Sequence, residues 1–273
     1  MAIELGKLGI WRHYSGVDVQ FAAEAEKLGY GAIWLGSSPG GDLAYVDDLL
    51  AATDSLVIAT GIVNIWQDEP ADIARVYERI AAKYPDRFLL GVGAGHREAT
   101  KEYKKPYAAL VDYLDGLDAA GVPVADRALA ALGPKVVALS GERTAGAHPY
   151  LTTPEHTRST REILGAGKLL APEQKVVLGT DVDEARAIGR NTVKFYLGLS
   201  NYVANLRKLG FTDEDLEGEG SNRLIDALAL HGDAATIARG LAAHLEAGAD
   251  QVIVQVLNED PWPVYRALAS ELL

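Results

Sequence analysis

Cysteine is missing from all 273 residues, and methionine occurs once. The lack of thiols excludes disulfides, thiolate metal sites, iron–sulfur clusters and a Cys nucleophile. It fits a reducing compartment, so a cytoplasmic protein is expected. Basic residues are few: 26 Lys and Arg stand against 38 Asp and Glu, a formal net charge of −12. That balance excludes a general nucleic-acid or anionic-membrane binder, because both need a basic surface. No apolar run approaches the roughly 18 residues of a membrane helix. Residues 1–7 lack the basic start and long apolar core of a signal peptide. The six histidines show no H-E-x-x-H or other metal spacing, so no metal is expected. A Gly-x-Ser-x-Gly elbow and a Walker loop are missing too.

What is present is ordinary for a globular α/β chain: 48% hydrophobic and 23% charged residues, with 28 Gly and 11 Pro as punctuation. A short apolar strand, a turn and an amphipathic helix recur along the chain. Strands are predicted at 7–11, 32–35, 57–63, 88–93, 128–132, 147–151, 175–178 and 252–256. The segment 128–132 also suits a helix, but Gly133-Pro134 opens a new one and favours a strand. Helical stripes include Val17, Phe21, Ala25 and Leu28; Ile73, Val76, Tyr77 and Ile80; and Ile237, Ala238, Leu241 and Leu245. Helices are further predicted at 45–53, at 106–119, from Pro134 to near Arg143, over a long region at 182–209, and at 261–272. The acidic, Gly-rich stretch 211–222 reads as an exposed connection. Eight strands with helical returns imply one (β/α)8 barrel over residues 1–273, with a doubly wound open sheet as the alternative.

Barrels of this kind carry function at the C-terminal ends of their strands. Those ends hold Trp11, Arg12 and His13; Gly36, Ser37 and Ser38; Asn64 and Trp66; Gly93, Ala94, Gly95 and His96; and Thr152 and Thr153. The run Gly91-Val-Gly-Ala-Gly-His96 departs from the dinucleotide pattern G-x-G-x-x-G at its last position. Its glycines instead allow a backbone to approach a flat ligand. Thr152-Thr153-Pro154 reads either as a plain N-cap with Pro at N1 or as an anion site at a helix N-terminus. His13 and His96 fall at strand ends, whereas His231 and His244 are expected on the surface or in helix packing.

Several segments together resemble the luciferase-like superfamily, in its branch of coenzyme F420-dependent oxidoreductases. They are LGYGAIWLGSS at 28–38, TGIVNIW at 60–66, YPDRFLLGVGAGH at 84–96, GAHPYLTTPEHT at 146–157, FYLGLSNYVANLRKLGF at 195–211 and HLEAGADQVIVQVL at 244–257. Their order and spacing carry the resemblance, which spans nearly the whole chain.

The resemblance implies a (β/α)8 barrel that binds F420, or alternatively FMN, at its C-terminal mouth. It implies a non-prolyl cis bond at Gly61–Ile62 and cofactor contacts from Gly61, Ile62, Asn64, Gly93, Ala94, Gly95, Thr152 and Thr153. Trp11, His13, Ser37, Ser38 and Trp66 would wall the substrate side. Two departures from the family pattern stand out. Ser37 and Ser38 replace an acidic residue followed by His, and His96 stands where the sugar-phosphate branch has Glu. His96 is therefore the candidate proton donor or acceptor, its ordinary pKa being about 6.5. The expected activity is hydride transfer between deazaflavin and a small organic substrate. An FMN-dependent monooxygenase, a cofactor-binding protein with little catalysis, and a barrel enzyme without a redox cofactor are the alternatives. A homodimer is implied by the resemblance.

Overall fold

A computed structural model describes residues 3–95 and 105–273. Among the described residues the strands are β1 (Leu8–His13), β2 (Ala32–Gly36), β3 (Val57–Gly61), β4 (Val63–Asn64), β5 (Phe88–Gly93), β6 (Arg127–Leu129), β7 (Gly146–Ala147), β8 (Leu169–Leu170), β9 (Glu173–Leu178), β10 (Ala229–Gly232) and β11 (Val252–Val256). All ladders between them are parallel.

The ring closes through the segment 169–178. On one side Leu169 N donates to Ala145 O and Ala171 N to Ala147 O. On the other, Ile253 N donates to Pro172 O, and β11 continues alongside β9. Since β11 also pairs with β1, the parallel sheet curls into a luciferase-like (β/α)8-type barrel, as expected. β10 lies outside that ring, paired only with β9.

Alternation along each strand sorts the residues. Ile33, Leu35, Ile58, Leu90, Val92, Val252 and Val254 point outward, into the apolar layer beneath the helices. Ala32, Trp34, Ala59, Leu89, Ala128 and Ile253 form a separate inner cluster. Trp34 is the bulk of that interior and is fully buried. Its Nε1 donates to Gln251 Oε1 (2.8 Å), and Gln251 Nε2 donates to the Leu5 carbonyl. Several of the residues beside the indole are small, among them Ala32, Ala59 and Ala128. At Gly91 a Cβ would lie 1.9 Å from the Thr60 carbonyl and 3.6 Å from the Trp34 ring.

Several expectations need correction. The strand at 57–63 is interrupted at Ile62, and 128–132 is strand only over Arg127–Leu129. The strand at 147–151 is short and earlier, at Gly146–Ala147. The strand at 175–178 begins at Glu173, and Leu169–Leu170 precedes it. Polar Glu173, Gln174 and Lys175 hid that strand, yet all three are buried among partners. β10 was missed because its four residues, ALHG, carry no strand pattern. The region 182–209 is two helices, Val182–Leu197 and Ser200–Lys208, parted at Gly198. The stretch 211–222 is not simply exposed: Phe211 and Asp215 are buried, and Thr212 forms a capping box with Asp215.

Of the two alternatives for His244, helix packing is the one found. Fully buried in the helix Ala234–Glu246, its Nδ1 accepts from the Thr157 hydroxyl of the helix Pro154–Leu164 (2.8 Å) and its Nε2 donates to Gln174 Oε1 (3.0 Å). His231 lies half-buried in β10, its Nε2 2.9 Å from Asp226. No described helix is long and apolar enough to cross a membrane.

The Gly91 contact yields a stability prediction. Gly91→Ala forces a methyl into the Thr60 carbonyl and should cost about 3 kcal/mol or more. Urea unfolding measures it; a midpoint equal to that of the parent would refute this account of the interior.

Candidate active site

One layer above Trp34, the inward positions at the strand ends change character. β2 ends on Gly36, β3 on Gly61 and β5 on Gly93. Gly36 and Gly61 are direct partners across the ladder. The Trp11 indole covers Gly36, where a Cβ would lie 2.1 Å from its ring. A cavity of about 580 Å³ opens over this layer.

Its lining is of two kinds. Gly61, Ala94, Gly95, Ala130, Ala131 and Gly133 contribute little more than backbone and methyl groups. The Gly61–Ile62 bond is cis. Trp11, Tyr150, Phe195, Tyr196 and Tyr202 contribute aromatic rings, that of Trp11 close beside Gly61. The helix Val182–Leu197 brings Phe195 and Tyr196 to the cavity, and Ser200–Lys208 brings Tyr202. Ser37 and Ser38, consecutive residues with left-handed backbone (φ 65° and 55°), also line it.

His148 lies under the cavity floor. It is 3% exposed and packs on the Trp34 ring at 4.4 Å between centroids. Its Nδ1 is 2.9 Å from the Ala171 carbonyl, which only accepts, so Nδ1 carries the proton. Nε2 is then a bare acceptor, 3.3 Å from where a Cβ of Gly61 would sit. Burial pushes the His148 pKa down to about 4, which keeps the ring neutral. Trp11 Nε1, a buried donor with no partner, lies 3.6 Å from the same Gly61 position.

Behind the aromatic rings is a buried ion pair. Lys175 Nζ donates to both Glu173 oxygens (3.0 Å each) and sits 3.9 Å from the centre of the Tyr150 ring. Glu173 Oε2 also accepts from Leu151 N (3.1 Å). Burial pushes Lys175 down and Glu173 up, and their mutual attraction pulls each back. Tyr150 is hydrogen-bonded to Tyr196 (2.8 Å) and to Gln255 Oε1 (2.9 Å).

The structure brings together Trp11, Ser37, Ser38, Gly61, Ile62, Asn64, Ala94 and Gly95 around the cavity. It leaves other candidates apart. His13 is exposed at the end of β1, bonded to Ser15. Trp66 stands behind the lining: its Nε1 donates to Ala94 O (2.7 Å), and its backbone N donates to Asn64 Oδ1. Gly93 packs on Ala130 and Ile62 rather than lining the space. Thr152 and Thr153 are buried and do not line it either. At the helix they precede, Pro154–Leu164, Glu155 places a carboxylate in the first turn. His96 lies outside the described residues. Sequence reasoning passed over His148, Tyr150, Tyr196, Tyr202, Glu173 and Lys175. A charged pair inside an apolar strand run was the one available signal.

The luciferase-like monooxygenase family profile matches residues 18–251. The chain belongs to that family. No curated protein matches the sequence significantly. Among solved structures, it is similar to an F420-dependent secondary alcohol dehydrogenase in complex with an F420-acetone adduct, at 14% identity, 98% of each chain and a TM-score of 0.76. The coenzyme F420-dependent tetrahydromethanopterin reductase from Methanopyrus kandleri matches at 15% identity, 98% of each chain and a TM-score of 0.69. The oxygenating constituent of 3,6-diketocamphane monooxygenase from the CAM plasmid of Pseudomonas putida, in complex with FMN, matches at 14% identity and a TM-score of 0.65, over 97% of this chain and 96% of that one. At such identities these likenesses show the fold.

Two predictions follow from the buried groups. Breaking the ion pair with Lys175→Met strands the Glu173 carboxylate and should cost about 3–5 kcal/mol, whereas replacing both partners should cost less. Equal losses in urea unfolding for the single and double variants would disprove the pairing. His148 and His244 both have folded pKa values lowered to about 4 by burial. Protons then favour the unfolded chain, so this stability is complete above pH ~6.5 and is lost as pH falls toward 4, on the order of 3 kcal/mol per histidine. Comparing thermal midpoints at neutral and acid pH, the His148→Gln/His244→Gln variant should show a flatter profile than the parent.

Proposed function

We propose that the cavity holds the ring of a coenzyme F420-type deazaflavin and that the protein catalyses hydride transfer between it and a small organic substrate. The observation that carries this reading is the make-up of the cavity lining. Backbone and methyl groups at Gly61, Ala94, Gly95, Ala130 and Ala131 leave room for a planar ring system, and five aromatic rings share the lining with them. A Cβ at Gly61 would press on His148, so the surface there stays flat.

In this reading Ile62, Asn64, Ala94 and Gly95 hold the ring. The deazaflavin supplies hydride chemistry at one ring carbon. The chain's own residues confine and orient the substrate: Trp11, Tyr150 and Phe195 wall it off from water. Trp11 Nε1 and His148 Nε2 supply one donor and one acceptor beside Gly61. His96 handles the proton, as its chemistry and its position after β5 suggest.

Paired fluorescence titrations of the purified protein with F420 and with FMN test the cofactor. Tight binding of F420 alone is expected; a preference for FMN would replace this reading by a flavin monooxygenase, and binding of neither would end both. With F420 bound, His96→Ala should lower turnover by about 10²–10⁴-fold. Unchanged turnover would remove His96 from the reaction.

A further inference from the structure

Two nitrogens at the cavity floor have no hydrogen-bond partner among the described residues, and they are of opposite kinds. Trp11 Nε1 is a buried donor. His148 Nε2 is an acceptor, because the Ala171 carbonyl takes the Nδ1 proton (2.9 Å). The two converge: a Cβ on Gly61 would lie 3.6 Å from the first and 3.3 Å from the second. Trp11, Gly61 and His148 all line the cavity. Packing fixes both rings. That of Trp11 covers Gly36 and lies 5.5 Å from the Tyr150 ring, and that of His148 packs on Trp34 at 4.4 Å. Burial pushes the His148 pKa down to about 4, so Nε2 stays bare at neutral pH. A donor buried without a partner is costly, and a ligand oxygen relieves that cost.

We infer that Trp11 Nε1 and His148 Nε2 form a subsite for the cis edge of an amide, the donor taking its carbonyl oxygen and the acceptor its N–H. A ketone or an ester satisfies Trp11 alone and leaves His148 bare. An amide edge presents both groups side by side in one plane. That planarity suits a lining of backbone, methyl groups and aromatic rings better than the tetrahedral carbon of an alcohol does. Two ligands of this cavity carry such an edge: a lactam or cyclic imide as substrate, and the pyrimidinedione end of a deazaflavin or flavin ring. The recognition chemistry is the same for either. Trp11 and His148 are thus specificity-determining residues that read one edge of the ligand. The inference rests on the proposed function in taking this cavity as the ligand site.

Ligand-observed NMR titration with δ-valerolactam and δ-valerolactone tests it. The two rings have nearly equal shape and the same carbonyl, and only the lactam has an N–H beside it. The parent should bind the lactam about threefold to tenfold more tightly, the worth of one neutral hydrogen bond. His148→Phe keeps a ring on Trp34 without the acceptor and should cancel that preference. Trp11→Phe removes the donor and should weaken both ligands by about threefold to tenfold while keeping the preference; it carries the test if His148→Phe does not fold. Each series is run with and without F420. Displacement of the lactam by F420, with both variants also weakening F420 binding, assigns the edge to the coenzyme ring; any other behaviour toward F420 assigns it to the substrate. A lactam preference without F420 binding would end the proposed function and leave the subsite standing. Equal affinities for lactam and lactone in the parent, cyclohexanol binding as tightly as the lactam, or no saturable lactam binding without F420 would overturn the inference. So would an unchanged preference in His148→Phe or unchanged affinities in Trp11→Phe.

Discussion

The barrel is organised around one indole. Trp34 is the largest side chain of the inner cluster, and its neighbour across the ladder, Trp11, packs against the same cluster. Ala32, Ala59, Ala128 and Gly91 leave space for these rings. The one polar side-chain atom of Trp34 is satisfied by Gln251, so the plug is anchored as well as packed. His148 stacks on its upper face, and the cavity floor begins there. Every feature of the site is built on that surface.

Above the plug, two kinds of group line the cavity. Glycine and alanine at the strand ends and following loops add little bulk and leave the space open. Tyr150, with Tyr196 and Tyr202 from the helices at 182–197 and 200–208, adds rings. Such rings need support, because a phenol buried without a partner is costly. For Tyr150 the Glu173–Lys175 pair and Gln255 provide it: the ammonium sits against its ring, and the amide oxygen takes its proton. A buried ion pair adds little net stability of its own. Here its ammonium also faces the Tyr196 ring.

Much of the strand order was legible because outward-facing positions such as Ile33, Leu35, Leu90 and Val92 are apolar and turns are marked by glycine. Reading failed where a strand breaks that pattern. Glu173-Gln174-Lys175 is polar in sequence, yet each side chain finds a buried partner: Glu173 and Lys175 each other, and Gln174 the His244 ring and the Leu228 carbonyl. Residues 229–232 are too short and mixed to announce a strand, and they pair only because β9 offers an edge. For the site, residues directly after strands could be chosen by position, and Trp11, Ser37, Ser38, Asn64, Ala94 and Gly95 do line the cavity. The same rule also selected His13 and Trp66, whose side chains turn to Ser15 and to the Ala94 carbonyl.

The sequence by itself determined the class of fold and the mouth of the barrel as the place for chemistry, since hydrophobic period and glycine placement are local properties written along the chain. It also determined the absence of thiol chemistry. Only the tertiary structure decided which polar groups face one another. His148, Tyr150, Glu173, Lys175, Tyr196 and Gln255 come from four separate stretches of chain, and nothing in the spacing of those stretches links them. Their protonation and the direction of their hydrogen bonds depend on burial and on carbonyls such as that of Ala171. These are properties of the folded interior, where charge and unpaired protons are costly enough to dictate the arrangement.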